Sequence, residues 1–368
     1  MAYILLMKTG DVILPLHNGR APDWLMQRMI KLARSIICVM GIELGREEVL
    51  RRLSDPLWFQ SLGCLLGFDW HSSGLTTTVS FAIKVALKDI GTELGIFAAG
   101  GKGRYARKTP DEIAETASKV GVDAEKLIYA SRMSAKVDTC LVQDGYDIYH
   151  HTIFYTVDGS WCVIQQGMNE RSRTARRYHW LSENLLSFIE EPHTGIVAER
   201  KEKEVIDLTS RKSEDARSTM LQLVQEGPEK VLRLYSKALT YKMPMRHYIT
   251  LRDMKPENLK KVLLTTYEDP PNNFEELLLT RGLGPMTIRA LTLISDVIYG
   301  AKPSYSDPVI FSYAHGGKDG YPYRVRRDVY DKSIEILEKA IKSAKLGHKD
   351  ELFALRKLSL LFSFNQTS

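Results

Sequence analysis

At 368 residues the chain is longer than one apolar core usually serves, so two or three domains are expected. Apolar residues at 44% supply packed interiors, and charged residues at 26% match a soluble globular protein rather than a disordered or membrane-embedded one. The net charge of +6 is too mild to argue for nucleic acid unless the cations are clustered.

Along the chain, MAYILLMKTGDVILPLHNG holds an apolar stretch of about six residues, too short for a signal segment or a membrane span. Cys38, Cys64, Cys140 and Cys162 are scattered and form no Cys-x-x-Cys pair, which favours reduced thiols over disulfides or structural zinc. A soluble cytoplasmic protein without a membrane partner is the expectation. Residues 22–53 carry apolar side chains at three-to-four spacing and predict helix, with Gly41 and Gly45 marking a break. Two more helices are predicted within SDPLWFQSLGCLLGFDWHSSGLTTTVSFAIKVALKDI, separated by DWHSSG, a polar turn expected to cap the helix at Thr76. The absence of Gly-x-Ser-x-Gly excludes a nucleophile elbow there.

AAGGKGRYARK (98–108) reads as a loop able to close on a polyanion through Lys102, Arg104, Arg107 and Lys108. Its Gly-Lys is not followed by Ser or Thr, so no phosphate-cradling nucleotide loop and no nucleotide cofactor are expected. The next helix opens at TPDEIAETASKVG, with Thr109 as cap, Pro110 in the first position and Glu112 completing a capping box.

Between 136 and 168 the period changes to two. KVDTCLVQDGYDIYHHTIFYTVDGSWCVIQQGM holds strand-like runs joined by two Asp-Gly pairs, which predicts a three-stranded antiparallel meander. If each pair is a two-residue loop, Asp138, His151 and Gln166 form one row on one sheet face, with Lys136, Ile153 and Ile164 one position further out. A carboxylate, an imidazole and an amide in line suggest a site in which Asp138 and His151 are ligands or acid–base groups and Gln166 positions water or phosphate. One Asp and one His are too few for Mg or Mn, so Asp144, Asp69 or His71 would have to join. The bland reading of the same row is a hydrogen-bonded trio that pins strand register.

Arg171, Arg173, Arg176 and Arg177 follow within seven residues, beside Tyr178, His179 and Trp180, and suit phosphate forks with stacking rings. ERKEKEVIDLTSRKSEDAR (199–217) reads as a solvated connector. It divides an α+β domain (1–198) from a helical one (218–368). In the latter, NNFEELLLTRGLGPMTIRALTLISDVIYG predicts helix, glycine turn, helix, with Asn272 or Asn273 as cap and Pro285 opening the second helix.

That stretch (273–299) resembles a helix-hairpin-helix motif. The resemblance implies DNA backbone contacts from the amides of Gly282, Gly284 and Met286, with Arg281 and Arg289 adding charge. AKPSYSDPVIFSY is similar to the segment after the hairpin in helix-hairpin-helix DNA glycosylases, which places their aspartate at Asp307. Met286 stands where bifunctional members have lysine, so lyase chemistry would lack its nucleophile. Over nearly its whole length, through GDVILPLHNGRAP, LGFDWHSSG, VDTCLVQDGYDIYHH, VIQQGMN and ARRYHWLS, the chain resembles a prokaryotic, mainly archaeal family described as domain of unknown function 763. The combined expectation is a DNA-processing or repair hydrolase, foremost a Mg- or Mn-dependent nuclease acting on single-stranded or structured DNA. The alternatives are a base-excision enzyme using Asp307 and a non-enzymatic DNA-binding protein.

Overall fold

The computed structural model describes residues 21–68, 74–198, 201–203, 205–239 and 256–309. Its first layer is α1 (Asp23–Leu44), α2 (Arg46–Ser54), α3 (Pro56–Leu65) and α4 (Gly74–Leu94). Met29, Leu32, Ala33, Ile36, Ile37 and Met40 form the buried stripe of α1, at the spacing one helix face requires. The predicted break falls at Gly45 alone, with φ +87°. Gly41 stays helical, because a β-carbon there would stand 3.1 Å from Leu94 Cδ2, and its absence lets α1 lie close to α4. Asp55 caps α3 by accepting from the amides of Leu57 and Trp58 at 2.8 and 2.9 Å. Asp69, His71 and the rest of the expected cap for Thr76 lie outside the described residues; Thr76 itself is buried in the first turn of α4.

The chain then builds β1 (Ile96–Lys102), a single helical turn (Arg104–Arg107), α5 (Thr109–Val120) and α6 (Ala124–Cys140). The strands β2 (Val142–Gln143), β3 (Asp147–Thr156), β4 (Trp161–Asn169), β5 (Thr174–Leu181), β6 (His193–Ala198) and β7 (Ile206–Asp207) follow. One antiparallel sheet has the order β1-β3-β4-β5-β6, and β2 pairs with β7 apart from it. The predicted meander is therefore corrected twice. It has five strands, and residues 136–140 are the last turn of α6 instead of a strand. In α6 the buried Leu127, Ala130, Ser131, Ser134, Val137 and Asp138 recur every three or four residues, the helical period that outweighs the short alternating run at its end. The capping box at Thr109 is also absent. Its hydroxyl donates to the Ala106 carbonyl, and Glu112 instead accepts from the Gly100 amide and Lys84.

The second Asp-Gly pair does turn a hairpin, one residue longer than expected. Thr156 N–H donates to Ser160 across a three-residue loop, and Gly159, at φ +83°, takes its left-handed third position. The register therefore pairs His151 with Gln165 and His150 with Gln166. A slip of one residue exchanges the faces of a strand, so Gln165 takes the place foreseen for Gln166.

Both sheet faces are covered. Phe154, Cys162 and Ile164 pack against α1–α4, and Ile153, Tyr155, Val163 and Trp180 pack on the other side. Each such aliphatic side chain contributes roughly 1.5–3 kcal/mol by burial, which is what fixes the register. The second cover is α6 with α7 (Glu214–Gln225), α8 (Pro228–Ala238), α9 (Pro256–Glu268), α10 (Phe274–Leu279) and α11 (Pro285–Tyr299). The stretch foreseen as a solvated connector joins this core: Val205, Ile206 and Leu208 are buried, and the Arg217 guanidinium donates to the carbonyls of Leu208 and Ser210. The described part of the chain is thus α+β, with an antiparallel sheet between two helical covers.

Candidate functional site

Three groups of sequence-predicted residues lie in different places. The first is a sealed polar network between α6 and the sheet. Asp138 is wholly buried, and its Oδ2 accepts from Gln165 Nε2 and, at 3.0 Å, from Trp180 Nε1. Its Oδ1 lies 2.5 Å from His193 Nε2. Because the Gln165 amide donates to this carboxylate, its Oε1 points to His151 Nδ1, 2.9 Å away. Nδ1 therefore carries the ring hydrogen, and Nε2 accepts from Ser131 Oγ at 2.8 Å. Burial holds His151 below the usual histidine range, so the ring is neutral. Asp138 and His151 do meet as foreseen, joined by Gln165 in place of Gln166. Gln166 lies on the opposite sheet face with its amide on the Tyr149 hydroxyl.

The second group is an ion cluster around Arg176, whose side chain is fully buried. It donates to Asp144 at 2.8 Å and grips both oxygens of Asp307 at 3.0 and 2.7 Å. Its guanidinium carbon also stands 4.7 Å from the centre of the Tyr146 ring. Asp144 further accepts from the Tyr178 hydroxyl at 2.7 Å, and Asp307 from the amides of Glu202 and Val309. Burial opposes the charge on Arg176, but Asp144, Tyr178 and Asp307 outweigh it and keep the guanidinium cationic. Arg177 is equally buried, on the face toward α3 and α4, where it donates to Gln60, Thr76, the Pro56 carbonyl and His179. Both arginines thus face inward, because consecutive residues of a strand covered on both sides have no solvent face to occupy.

Asp138, His151 and Asp144 do not fit a Mg or Mn site. Their oxygens and nitrogens already hold N–H or O–H partners, and Asp144 is committed to Arg176. Among the described residues no group of three or more His, Cys, Asp or Glu gathers as ligands would. A cleft of about 440 Å³ lies at the Asp158–Gly159 end of the sheet, lined by Glu125, Lys126, Tyr129, Ala130, Trp161 and Phe188; it is largely apolar and apart from these networks.

The third group is exposed and lies at the other end of the sheet. Lys102 closes β1 opposite His150, and the β4–β5 turn follows the pair Asn169–Thr174, so both loops leave by the same end. Only β3 separates β1 from β4, a span of about 10 Å. From these loops Lys102, Arg104, Arg107, Lys108, Arg171 and Arg173 project into solvent. No ion pair joins any of them to Glu170, Asp147 or another acid among the described residues. Tyr105, 47% exposed, lies in the first of these loops with the Arg104 guanidinium over its ring.

The turn between α10 and α11 is open as well. Asn273 caps α10 through the Glu276 amide at 2.9 Å. Gly282 has φ +86°, Leu283 is buried, and Gly284 precedes α11 with no side-chain cap. Among the described residues the amides of Gly282, Gly284 and Met286 have no acceptor, and a β-carbon on Gly284 would meet nothing within 4 Å. Lys136 Nζ binds the Leu283 carbonyl, and Gln143 bridges the Pro285 carbonyl and Arg289 Nε. Arg281 is exposed beside the turn.

A family model described as Protein of unknown function (DUF763) matches residues 10–325, a span that includes the sheet, both buried networks and the open turn. The chain belongs to that family. Neither the curated proteins nor the solved structures compared with it give a match. Within this DUF763 chain, sequence reasoning missed Ser131, Gln165 and His193, and it read Trp180 as a stacking ring whereas the indole is buried on Asp138. Ser131 and Asp138 sit seven positions apart, two turns of one helix, and that spacing was the available signal. His193 gave no such signal, because β6 is recognisable only once β5 is a strand.

Proposed function

We propose that this protein binds the phosphodiester backbone of DNA, single-stranded or structured, at the cation-rich end of the sheet. The observation that carries the reading is the emergence of Lys102, Arg104, Arg107, Lys108, Arg171 and Arg173 from neighbouring loops with no acidic partner among the described residues. Cations left unneutralised within reach of one another supply the counterion-releasing contacts of backbone binding. Tyr105 adds a stacking surface. The turn at Gly282–Gly284 would act as a further contact of helix-hairpin-helix type, offering bare amides at the start of α11 with Arg281 beside them. Binding is favoured over hydrolysis or base removal. Asp138 and His151 are sealed and mutually satisfied, and Asp307 is held by Arg176.

Fluorescence anisotropy with labelled single-stranded, duplex and branched DNA tests this. Raising salt from about 50 to about 200 mM should weaken binding by roughly 10²–10³-fold. Replacing Arg171 and Arg173 together by Gln should lower the salt slope by about two and leave the melting temperature unchanged. An affinity indifferent to salt would remove nucleic acid from the reading. New DNA ends appearing with Mg or Mn ions would restore the nuclease.

A further inference from the structure

One buried group at the cation-rich end has an unused hydrogen-bonding atom. His150 is the partner of Lys102 across the β1–β3 ladder, so the two side chains leave the same sheet face. His150 is 1% exposed, and its Nε2 lies 3.1 Å from Thr152 Oγ1, while Nδ1 is buried without a partner among the described residues. When the Thr152 hydroxyl donates to Nε2, the hydrogen of the neutral ring sits on Nδ1 and is free to donate. A buried ring nitrogen with no partner among the described residues is rare in native interiors and marks a place where a further polar group fits.

The surroundings define the chemistry of that acceptor. Lys102 Nζ stands 5.5 Å from the centre of the Tyr149 ring and has no acidic partner among the described residues. Gly103, φ +59°, follows it; its amide donates to the Tyr149 carbonyl at 2.7 Å, and a β-carbon there would meet nothing within 4 Å, so no side chain crowds the corner. Arg104 is next and exposed. Lys84, the other nearby ammonium, is already bound to the Gly100 carbonyl and Glu112. A metal ion would be repelled by Lys102 and, in the Nδ1–H tautomer, would find a proton on the free nitrogen. An oxyanion would be attracted by both.

We propose that His150 and Lys102 seat a single phosphate group, His150 Nδ1–H and Lys102 Nζ donating to its oxygens and Arg104 closing over it. The inference deepens the nucleic-acid reading, on which its choice of ligand rests, by assigning to this corner a phosphate monoester such as a strand's 5′ end. Free phosphate shares the chemistry, and the arms of the test separate the two.

The test compares the full chain with Lys102→Gln, an exposed change that leaves the fold intact, and with His150→Phe. Each is titrated with inorganic phosphate and with one oligonucleotide carrying a 5′-phosphate or a 5′-hydroxyl. The 5′-phosphate should improve binding by about tenfold, and Lys102→Gln should abolish that advantage while backbone affinity falls only in proportion to one charge. Inorganic phosphate should shift the imidazole ¹⁵N resonances of His150 in the wild type and not in Lys102→Gln. A shift with inorganic phosphate but no 5′ preference supports the seat and names free phosphate as its occupant. If DNA fails to bind and phosphate still shifts His150, the nucleic-acid reading falls and the seat stands. Equal affinity for the two oligonucleotides together with silent His150 resonances overturns the seat, whatever the DNA affinity.

Discussion

Arg171 and Arg173 differ from Arg176 and Arg177 by a few residues of chain and by nearly everything else. The first two ride on the β4–β5 turn in solvent, whereas the other two are wholly buried, one against two carboxylates and one against an amide, a hydroxyl, a carbonyl and an imidazole. Four arginines in one short run thus divide into surface charge and internal scaffold. What divides them is the start of β5 at Thr174, because both faces of that strand are covered. A basic run counts toward polyanion binding only up to the point where it enters a sheet.

The strongest way to break this contrast is to remove each kind of arginine. Arg176→Met leaves Asp144 and Asp307 buried and unpaired, and loss of one partner from such a cluster destabilises by about 3–5 kcal/mol. Arg171→Gln should change stability by no more than about 0.5 kcal/mol. Urea unfolding midpoints measure both. If Arg176→Met keeps the wild-type midpoint yet loses DNA affinity, Arg176 is a phosphate contact and the division is wrong.

The same contrast shows what the sequence could and could not convey. Apolar spacing revealed α1 through α4, and the Gly-Leu-Gly-Pro string revealed the open turn before α11, because both signals are local. The row of Asp138 and His151 was foreseen for the wrong reason: the carboxylate comes from a helix that crosses the sheet, and a longer hairpin loop brings in Gln165. Period two in Lys136–Gln143 is too short to be told from the end of a helix. Whether a three-residue or a two-residue loop forms at Asp158–Gly159 depends on which apolar set faces which cover, and that is decided by packing far along the chain. The cap at Asn273 was local and legible; the commitment of Asp307 to Arg176 joins residues remote in sequence and was not.

Acid should sharpen the distinction between interior and surface. Burial, then the neighbouring His151, Lys102 and Lys84, push His150 down to about 3, and burial lowers His151 as well. The unfolded chain takes up a proton near pH 6.5 that the folded chain refuses, so these rings leave stability intact above that value and remove it below. For His150 the loss is roughly 1.4 kcal/mol for each pH unit below 6.5 until about pH 3. Denaturant midpoints between pH 7 and about 5 should therefore fall in the wild type and fall less steeply in His150→Phe. Parallel slopes would mean that His150 is protonated in the folded protein.

The smallest expected effect on stability is also the most discriminating, since it has opposite signs for folding and binding. Gly284 starts α11 with φ −140° and ψ −178°, an extended conformation any residue adopts, and space for a side chain is free. Asp at this position would cap the helix through the amides of the first turn and favour the dipole, raising stability by a few tenths of a kcal/mol. The same carboxylate would occupy the amides offered to phosphate and repel it, so DNA affinity should drop severalfold as the melting temperature rises slightly. Gly282→Ala separates strain from contact: at φ +86° it should cost about 1 kcal/mol with no charge added. If Gly284→Asp stabilises the fold and leaves DNA affinity untouched, the turn is only a corner between helices, and the loops at the end of the sheet carry the binding alone.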